Sequence, residues 1–134
     1  MSVVIKNLVK IYGEQRAVDN ISFEVKKGEV VGFLGPNGAG KSTTMKITTG
    51  YIAPTSGTVE VAGLDVQQQT EAVKKKIGYL PESNPLYFDM YIKEYLEYAG
   101  KIYGLKGTRL TDRIGEMIDL TGLTKEQNKK IGQL

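Results

Sequence analysis

Alternating apolar and polar side chains predict strands in the first half of the chain. Residues 3–9 alternate in part and residues 21–25 alternate strictly, as in half-buried antiparallel strands. Residues 58–62 follow a Pro-Thr-Ser-Gly turn and predict a third strand. The apolar runs at residues 29–34 and 77–80 predict two further short strands, and Pro81 ends the second.

Helical spacing of apolar residues is typical of the rest of the chain. Residues 66–76 predict a polar helix, and residues 90–103 and 110–120 predict two longer helices separated by glycines. One stripe of the first long helix is aromatic and apolar, and it consists of Tyr91, Tyr95, Tyr98 and Ile102. Packing against a core explains this stripe most simply, and a docking surface is the alternative.

A glycine-rich turn joins the run at residues 29–34 to a helix predicted from Lys41 to about residue 49. Residues 35–43 read GPNGAGKST and match G-x-x-x-x-G-K-[ST], the pattern of a phosphate-binding loop. Glycines at 35, 38 and 40 allow positive φ, which brings backbone N–H groups within reach of phosphate oxygens. We expect the Lys41 ammonium to lie near the β- and γ-phosphates of a nucleotide and the Ser42 hydroxyl to ligate Mg²⁺. The candidate nucleotide-binding residues of this loop are Asn37, Gly38, Ala39, Gly40, Lys41, Ser42 and Thr43.

The composition of the chain excludes several kinds of partner and catalytic or metal site. The 134 residues could bury one core, and the net charge of +3 is too small a surplus to indicate a nucleic-acid partner. The chain contains neither cysteine nor histidine, which excludes thiolate and imidazole metal sites and Ser-His-Asp triads within it. No signal-like or membrane-spanning run is present, so we expect a cytoplasmic protein.

The motifs and their order along the chain resemble those of the ATP-binding subunit of ABC transporters, in particular the bacterial gliding-motility and drug-export type. In this family an aromatic residue at the position of Tyr12 stacks on adenine, and Val18 matches the residue that makes an apolar contact beside the base. Residues 77–82 align with the segment that holds the family's Q-loop glutamine. Here the chain differs, because Glu82 occupies the place of that glutamine. The resemblance thus implies Lys41 and Glu82 as catalytic residues and Ser42 and Glu82 as ligands of Mg²⁺.

The resemblance also implies a fold and an activity. The fold class is an α/β P-loop NTPase of ABC type, with an antiparallel β subdomain, an incomplete parallel core sheet and the start of a helical subdomain. Residues 1–83 would be the nucleotide-binding part and residues 84–134 the beginning of the helical part. The implied function is ATP binding and, at full length, ATP hydrolysis that powers transport. The implied partners are a polytopic membrane subunit and a second ATPase subunit, at the inner face of the cell membrane.

The family's signature, Walker B and switch-histidine motifs do not occur in these residues. We therefore expect the chain to be the N-terminal part of one ATPase domain that binds nucleotide without hydrolysing it, with the strand at residues 30–34 left as an unpaired edge. Three alternatives remain open. They are a non-transport ATPase of the same class, a small-molecule kinase with the same loop, and a nucleotide-binding module without catalysis.

Overall fold

The computed structural model describes residues 2–134. The chain divides into two compact units between Leu80 and Pro81. The sequence predicts a boundary after residue 83, in the irregular segment that follows this division. Each unit has a hydrophobic core of its own.

The first unit contains an antiparallel sheet of four strands. In chain order they are β1 (Val3–Tyr12), β2 (Gln15–Val25), β3 (Ser56–Val61) and β4 (Leu64–Asp65), and their order in the sheet is β2-β1-β3-β4. Strand β1 is central, because Val3 lies opposite Val25 of β2 on one side and opposite Val61 of β3 on the other. The two antiparallel strands expected from alternation and the strand expected after the turn at residues 54–57 are therefore present, and each is longer than its predicted segment.

Two helices accompany this sheet. Helix α1 (Lys41–Thr48) buries Thr44 and Ile47, and the short helix α2 (Thr70–Lys74) buries Val73. The buried apolar residues of the unit form one cluster, made of Ile5, Leu8, Val18, Ile47, Val59, Val61, Val66 and Val73. Full burial of one valine, leucine or isoleucine side chain stabilises the unit by roughly 1.5–3 kcal/mol.

A kink in β1 depends on one glycine of β3. Asn7 and Asn20 both have a φ of 49°, and the Asn7 Nδ2 donates to Asn20 Oδ1 at 3.1 Å across the β1–β2 ladder. A Cβ at Gly57 would lie 2.3 Å from the Asn7 carbonyl oxygen. Because no side chain fits that distance, Gly57 is the residue that lets β3 pair with the kinked strand.

The two apolar runs predicted as strands do not form strands among the described residues. Residues 29–34 and 77–80 have no strand assignment, and Val30 and Leu34 are 102% and 91% exposed. An apolar run is compatible with a strand, but a strand forms only where a neighbour accepts and donates its backbone hydrogen bonds. All strand pairs of the described chain are antiparallel, so the expected parallel sheet has no paired strands here.

The second unit is helical. Helix α3 (Ile92–Ile102) and helix α4 (Gly107–Leu120) are followed by a 3₁₀ turn (Ile131–Gln133). One residue of each, namely Ile92, Ile118 and Ile131, forms the buried cluster of this unit. Within residues 2–134, no helix is both long and apolar enough to cross a membrane.

The aromatic stripe of α3 is mostly not part of that core, so the packing interpretation is wrong for three of its four residues. Tyr91 and Tyr98 are 50% and 47% exposed and Ile102 is 66% exposed, whereas Tyr95 packs against the buried cluster. The centroid of the Tyr87 ring lies 6.4 Å from that of the Tyr95 ring and 6.2 Å from that of the Tyr98 ring. The tyrosines therefore form an aromatic group at the surface of the second unit.

Candidate phosphate-binding site

The glycine-rich loop leads directly into helix α1. Gly40 is the N-cap of this helix with a φ of 84°, and no side chain caps the first turn. The N–H groups in the first turn of an α-helix have no partner inside the helix. The amides of Lys41, Ser42 and Thr43 therefore supply donors and the positive end of the helix dipole at one point of the loop.

The end of the loop rests on strand β2. A Cβ at Gly40 would lie 2.1 Å from the Ala17 carbonyl oxygen and 3.2 Å from Val18 Cγ2. Backbone therefore lies against backbone here, and only glycine has room. The motif shows that position 40 is glycine, but nothing in the sequence indicated that Ala17 is the residue it contacts.

The two earlier glycines of the motif differ from each other. Gly38 has a φ of 82°, and a Cβ there would meet nothing within 4 Å. Gly35 does not have a positive φ, contrary to the expectation for all three glycines, and a Cβ there would lie 3.4 Å from Ala39 Cβ. A Cβ at Gly35 would therefore be in ordinary van der Waals contact, whereas Gly38 provides a left-handed backbone.

The Lys41 side chain folds back over the loop. Its Nζ donates to the Gly35 carbonyl oxygen at 2.5 Å and to the Pro36 carbonyl oxygen at 2.6 Å. The ammonium is thus held by two neutral acceptors at the mouth of the loop. Phosphate oxygens are stronger partners for an ammonium, because the hydrogen bond is then charged at both ends.

The three hydroxyl residues of the loop and first turn occupy different environments. Thr44 is 2% exposed, and its Oγ1 donates to the Gly40 carbonyl oxygen at 3.0 Å, which braces the start of the helix. Ser42 is exposed and Thr43 is partly exposed. The Ser42 hydroxyl is therefore accessible to a ligand, as its predicted role requires.

Tyr12 and Val18 lie on the β1–β2 hairpin, which also contains Ala17, the residue that Gly40 contacts. Tyr12 ends β1 and is 48% exposed, and Lys10 Nζ lies 5.1 Å from the centroid of its ring. Val18 is only 4% exposed and belongs to the core cluster beside Gly40. The Tyr12 ring is accessible for stacking, whereas Val18 supports the loop from within the core.

Glu82 is exposed and belongs to the second unit, whereas the loop belongs to the first. Within residues 2–134 there is no group of three or more acidic side chains that could hold a metal ion by themselves. The Ser42 hydroxyl likewise stays a predicted ligand of Mg²⁺. The contribution of Glu82 stays a prediction.

Comparison with known proteins identifies the family. The family model described as ABC transporter matches residues 18–134. An uncharacterized ABC transporter ATP-binding protein, YxlF of Bacillus subtilis, is 40% identical over 96% of this chain, which spans 42% of that relative. The bacitracin transport ATP-binding protein BcrA of Bacillus licheniformis is 36% identical over 99% of the chain and is covered to 43%. The chain thus spans less than half of these two relatives.

Solved structures agree with this result. The ATP-binding subunit of an ABC transporter matches with a TM-score of 0.83 and 28% identity over 97% of this chain and 54% of its own. A dimeric, post-hydrolysis ATP-binding cassette, MJ0796 with ADP and Pi, matches with a TM-score of 0.82 and 27% identity over 98% of this chain and 62% of its own. The predicted fold class and resemblance are confirmed. The chain belongs to the ABC transporter family.

Proposed function

We propose that this chain binds Mg·ATP through residues 35–43 and that the whole protein hydrolyses ATP to power transport across a membrane. The observation that supports this most is the loop itself, with left-handed Gly38 and Gly40, uncapped amides at the start of α1 and the Lys41 ammonium at its mouth. The name of the bacitracin transport relative supports a transport function.

Binding of phosphate would begin with an exchange of partners at Lys41. The ammonium would leave the Gly35 and Pro36 carbonyl oxygens and donate to phosphate oxygens instead. The amides of the first turn of α1 would donate to the same phosphates without any change in the helix. Because these donors are already held in place by Thr44 and by the contact with Ala17, little backbone ordering would be needed.

The base and the metal would be held at either side of these phosphates. The Tyr12 ring, which has Lys10 over one face, would stack on adenine with the other. Ser42 would ligate Mg²⁺, with Glu82 as a second protein ligand. Bound Mg²⁺ neutralises part of the phosphate charge during phosphoryl transfer.

We further propose the partners expected from the sequence. They are a polytopic membrane subunit and a second ATPase subunit, with the complex at the cytoplasmic face of the membrane. The structure related to this chain with ADP and Pi is a dimer, which supports pairing of ATPase subunits. The name of the bacitracin transport relative supports the membrane subunit.

Calorimetric titration of the full-length protein with Mg·ATP, Mg·ADP and AMP tests the proposed site. We expect affinity to fall sharply between ADP and AMP, because the loop and Lys41 would contact the β- and γ-phosphates. ATP turnover should yield free phosphate without a phosphorylated small molecule, which distinguishes an ATPase from a kinase. Equal affinity for all three nucleotides would contradict the site.

Replacing Tyr12 tests the proposed base contact. Tyr12→Ala should weaken Mg·ATP binding by about 1–3 kcal/mol, the range measured for bases stacked on aromatic side chains. Tyr12→Phe should retain most of the affinity, because the ring rather than the hydroxyl makes the contact. Tyr51→Ala is a matched control, since Tyr51 is 76% exposed and follows the opposite end of α1. If Phe is as damaging as Ala, stacking is not the role of Tyr12.

Replacing Glu82 tests its place at the metal. In the full-length protein, Glu82→Gln should leave substantial ATPase activity, because an amide oxygen also ligates Mg²⁺, whereas Glu82→Ala should lower activity most at limiting Mg²⁺. Glu71→Ala, a change at another exposed glutamate, controls for loss of surface charge. Identical Mg²⁺ titrations of all the Glu82 variants would remove Glu82 from the metal site.

A further inference from the structure

The phosphate-binding loop contains an asparagine followed by glycine. The chain has five asparagines, and Asn37 is the one that precedes a glycine; the others are Asn7, Asn20, Asn84 and Asn128. An asparagine side-chain amide can be attacked by the backbone nitrogen of the next residue. Glycine favours this reaction, because it has no side chain to hinder the approach of its nitrogen. The sequence thus places the most reactive asparagine of the chain within the loop.

The local structure leaves both reacting groups free. The Ala39 N–H donates to the Pro36 carbonyl oxygen at 3.2 Å, so Asn37 and Gly38 are the central residues of a turn. The φ of 82° at Gly38 is that of the third residue of a type II turn. Both residues are exposed, and within residues 2–134 neither the Asn37 side chain nor the Gly38 N–H makes a hydrogen bond. Neither group has to give up a hydrogen bond of its own before rotation about the Asn37 Cα–C bond brings the two together.

We propose that Asn37 is a site of spontaneous deamidation that removes the loop's capacity to bind nucleotide. The Gly38 nitrogen loses its proton to base and attacks Asn37 Cγ, forming a C–N bond. The bond from Cγ to Nδ2 breaks, and ammonia leaves with a proton. Water then opens the resulting cyclic imide at either carbonyl, giving aspartate or isoaspartate at position 37. The net reaction consumes one water, releases ammonia and involves no change of oxidation state.

The isoaspartyl product is the damaging one. It routes the main chain through the former side chain and so inserts one additional carbon between positions 37 and 38. Gly40 at the end of the loop lies against the Ala17 carbonyl oxygen, so moving this end to accommodate the additional carbon would break that contact. The Gly38 amide and the Lys41 ammonium are therefore displaced relative to each other. This consequence rests on the proposed function. Bound nucleotide would slow the reaction, because loop amides engaged by phosphate are poor nucleophiles.

The rate of deamidation is measured first, and its effect on nucleotide binding is measured afterwards. The full-length protein is incubated in mildly alkaline buffer with and without Mg·ATP, and peptide mass analysis with isoaspartate detection follows each asparagine over time. Asn37 should react at least about tenfold faster than Asn128, which is exposed and followed by lysine. Mg·ATP should slow Asn37 and leave Asn128 unchanged. An Asn37 rate no greater than that of Asn128 would overturn the proposal.

Calorimetry on the same samples tests the effect on binding. As isoaspartate accumulates, the number of Mg·ATP sites per chain should fall in step with it, while the Kd of the remaining sites stays constant. Asn37→Ser, which has no amide, should keep its own starting stoichiometry throughout. Isoaspartate that accumulates with no loss of sites would overturn the inactivation. A fresh protein without Mg·ATP binding would instead contradict the proposed function, and the mass measurement would still decide the modification.

Discussion

Gly40→Ala is expected to destabilise the protein and to impair nucleotide binding far more than Gly38→Ala. Both glycines have nearly the same left-handed φ, 84° and 82°, so both variants lose about 1–2 kcal/mol from that conformation. At position 40 the new Cβ would also lie 2.1 Å from the Ala17 carbonyl oxygen. Relief of this overlap adds about 1–3 kcal/mol and moves the start of α1 away from β2.

The comparison is made by urea denaturation and by Mg·ATP titration of the two variants. Gly38→Ala is a matched control for backbone strain, because a Cβ at that position meets nothing within 4 Å. A lower urea midpoint for Gly40→Ala at unchanged m would reflect the contact with Ala17. Equal midpoints for the two variants would contradict that contact.

Lys41→Ala is expected to lower Mg·ATP affinity by about 1.5–3 kcal/mol, the usual range for a charged hydrogen bond. The loss should disappear for AMP, which has no β- or γ-phosphate for Lys41 to contact. The fold should be little affected, because the two carbonyl oxygens that Lys41 bonds belong to exposed residues and can be hydrated.

Lys46→Ala is the control for charge, since Lys46 is exposed and lies in the last turn of the same helix. It removes the same charge from α1 at the end away from the loop. Isothermal titration at two salt concentrations should show a weaker salt dependence for Lys41→Ala alone. Unchanged affinity of a folded Lys41→Ala protein would contradict the assignment of residues 35–43.

Sequence reasoning worked best where a pattern has a local cause. Alternation located β1 and β2, and helical spacing located α3 and α4, because each pattern reflects one buried face. Helix α2 begins only at Thr70, whereas a helix was predicted from residue 66. The amides of Gln67 and Gln68 donate to Asp65 Oδ1 instead, so a side-chain acceptor holds these residues in a turn.

Features that depend on distant residues could not be predicted in this way. Hydrophobicity indicated that residues 29–34 could be a strand, but a strand also requires a neighbour, which the local sequence does not specify. The burial of Val18 and the contact between Gly40 and Ala17 likewise arise from tertiary packing. At the loop itself, the residue types were predictable and the conformation of Gly35 was not.

The order of strands in the first sheet also sets the order in which the site can be assembled. β1 and β2 are joined by a two-residue turn, and hairpins of this kind form within about 1–10 μs. β3 joins β1 only after the chain closes a large loop across residues 26–55, which is slower because its entropic cost comes before the new contacts form. The phosphate-binding residues lie inside this loop. In a newly made chain, the β2 surface that contacts Gly40 is therefore expected to form early, before Ser56–Val61 joins the sheet.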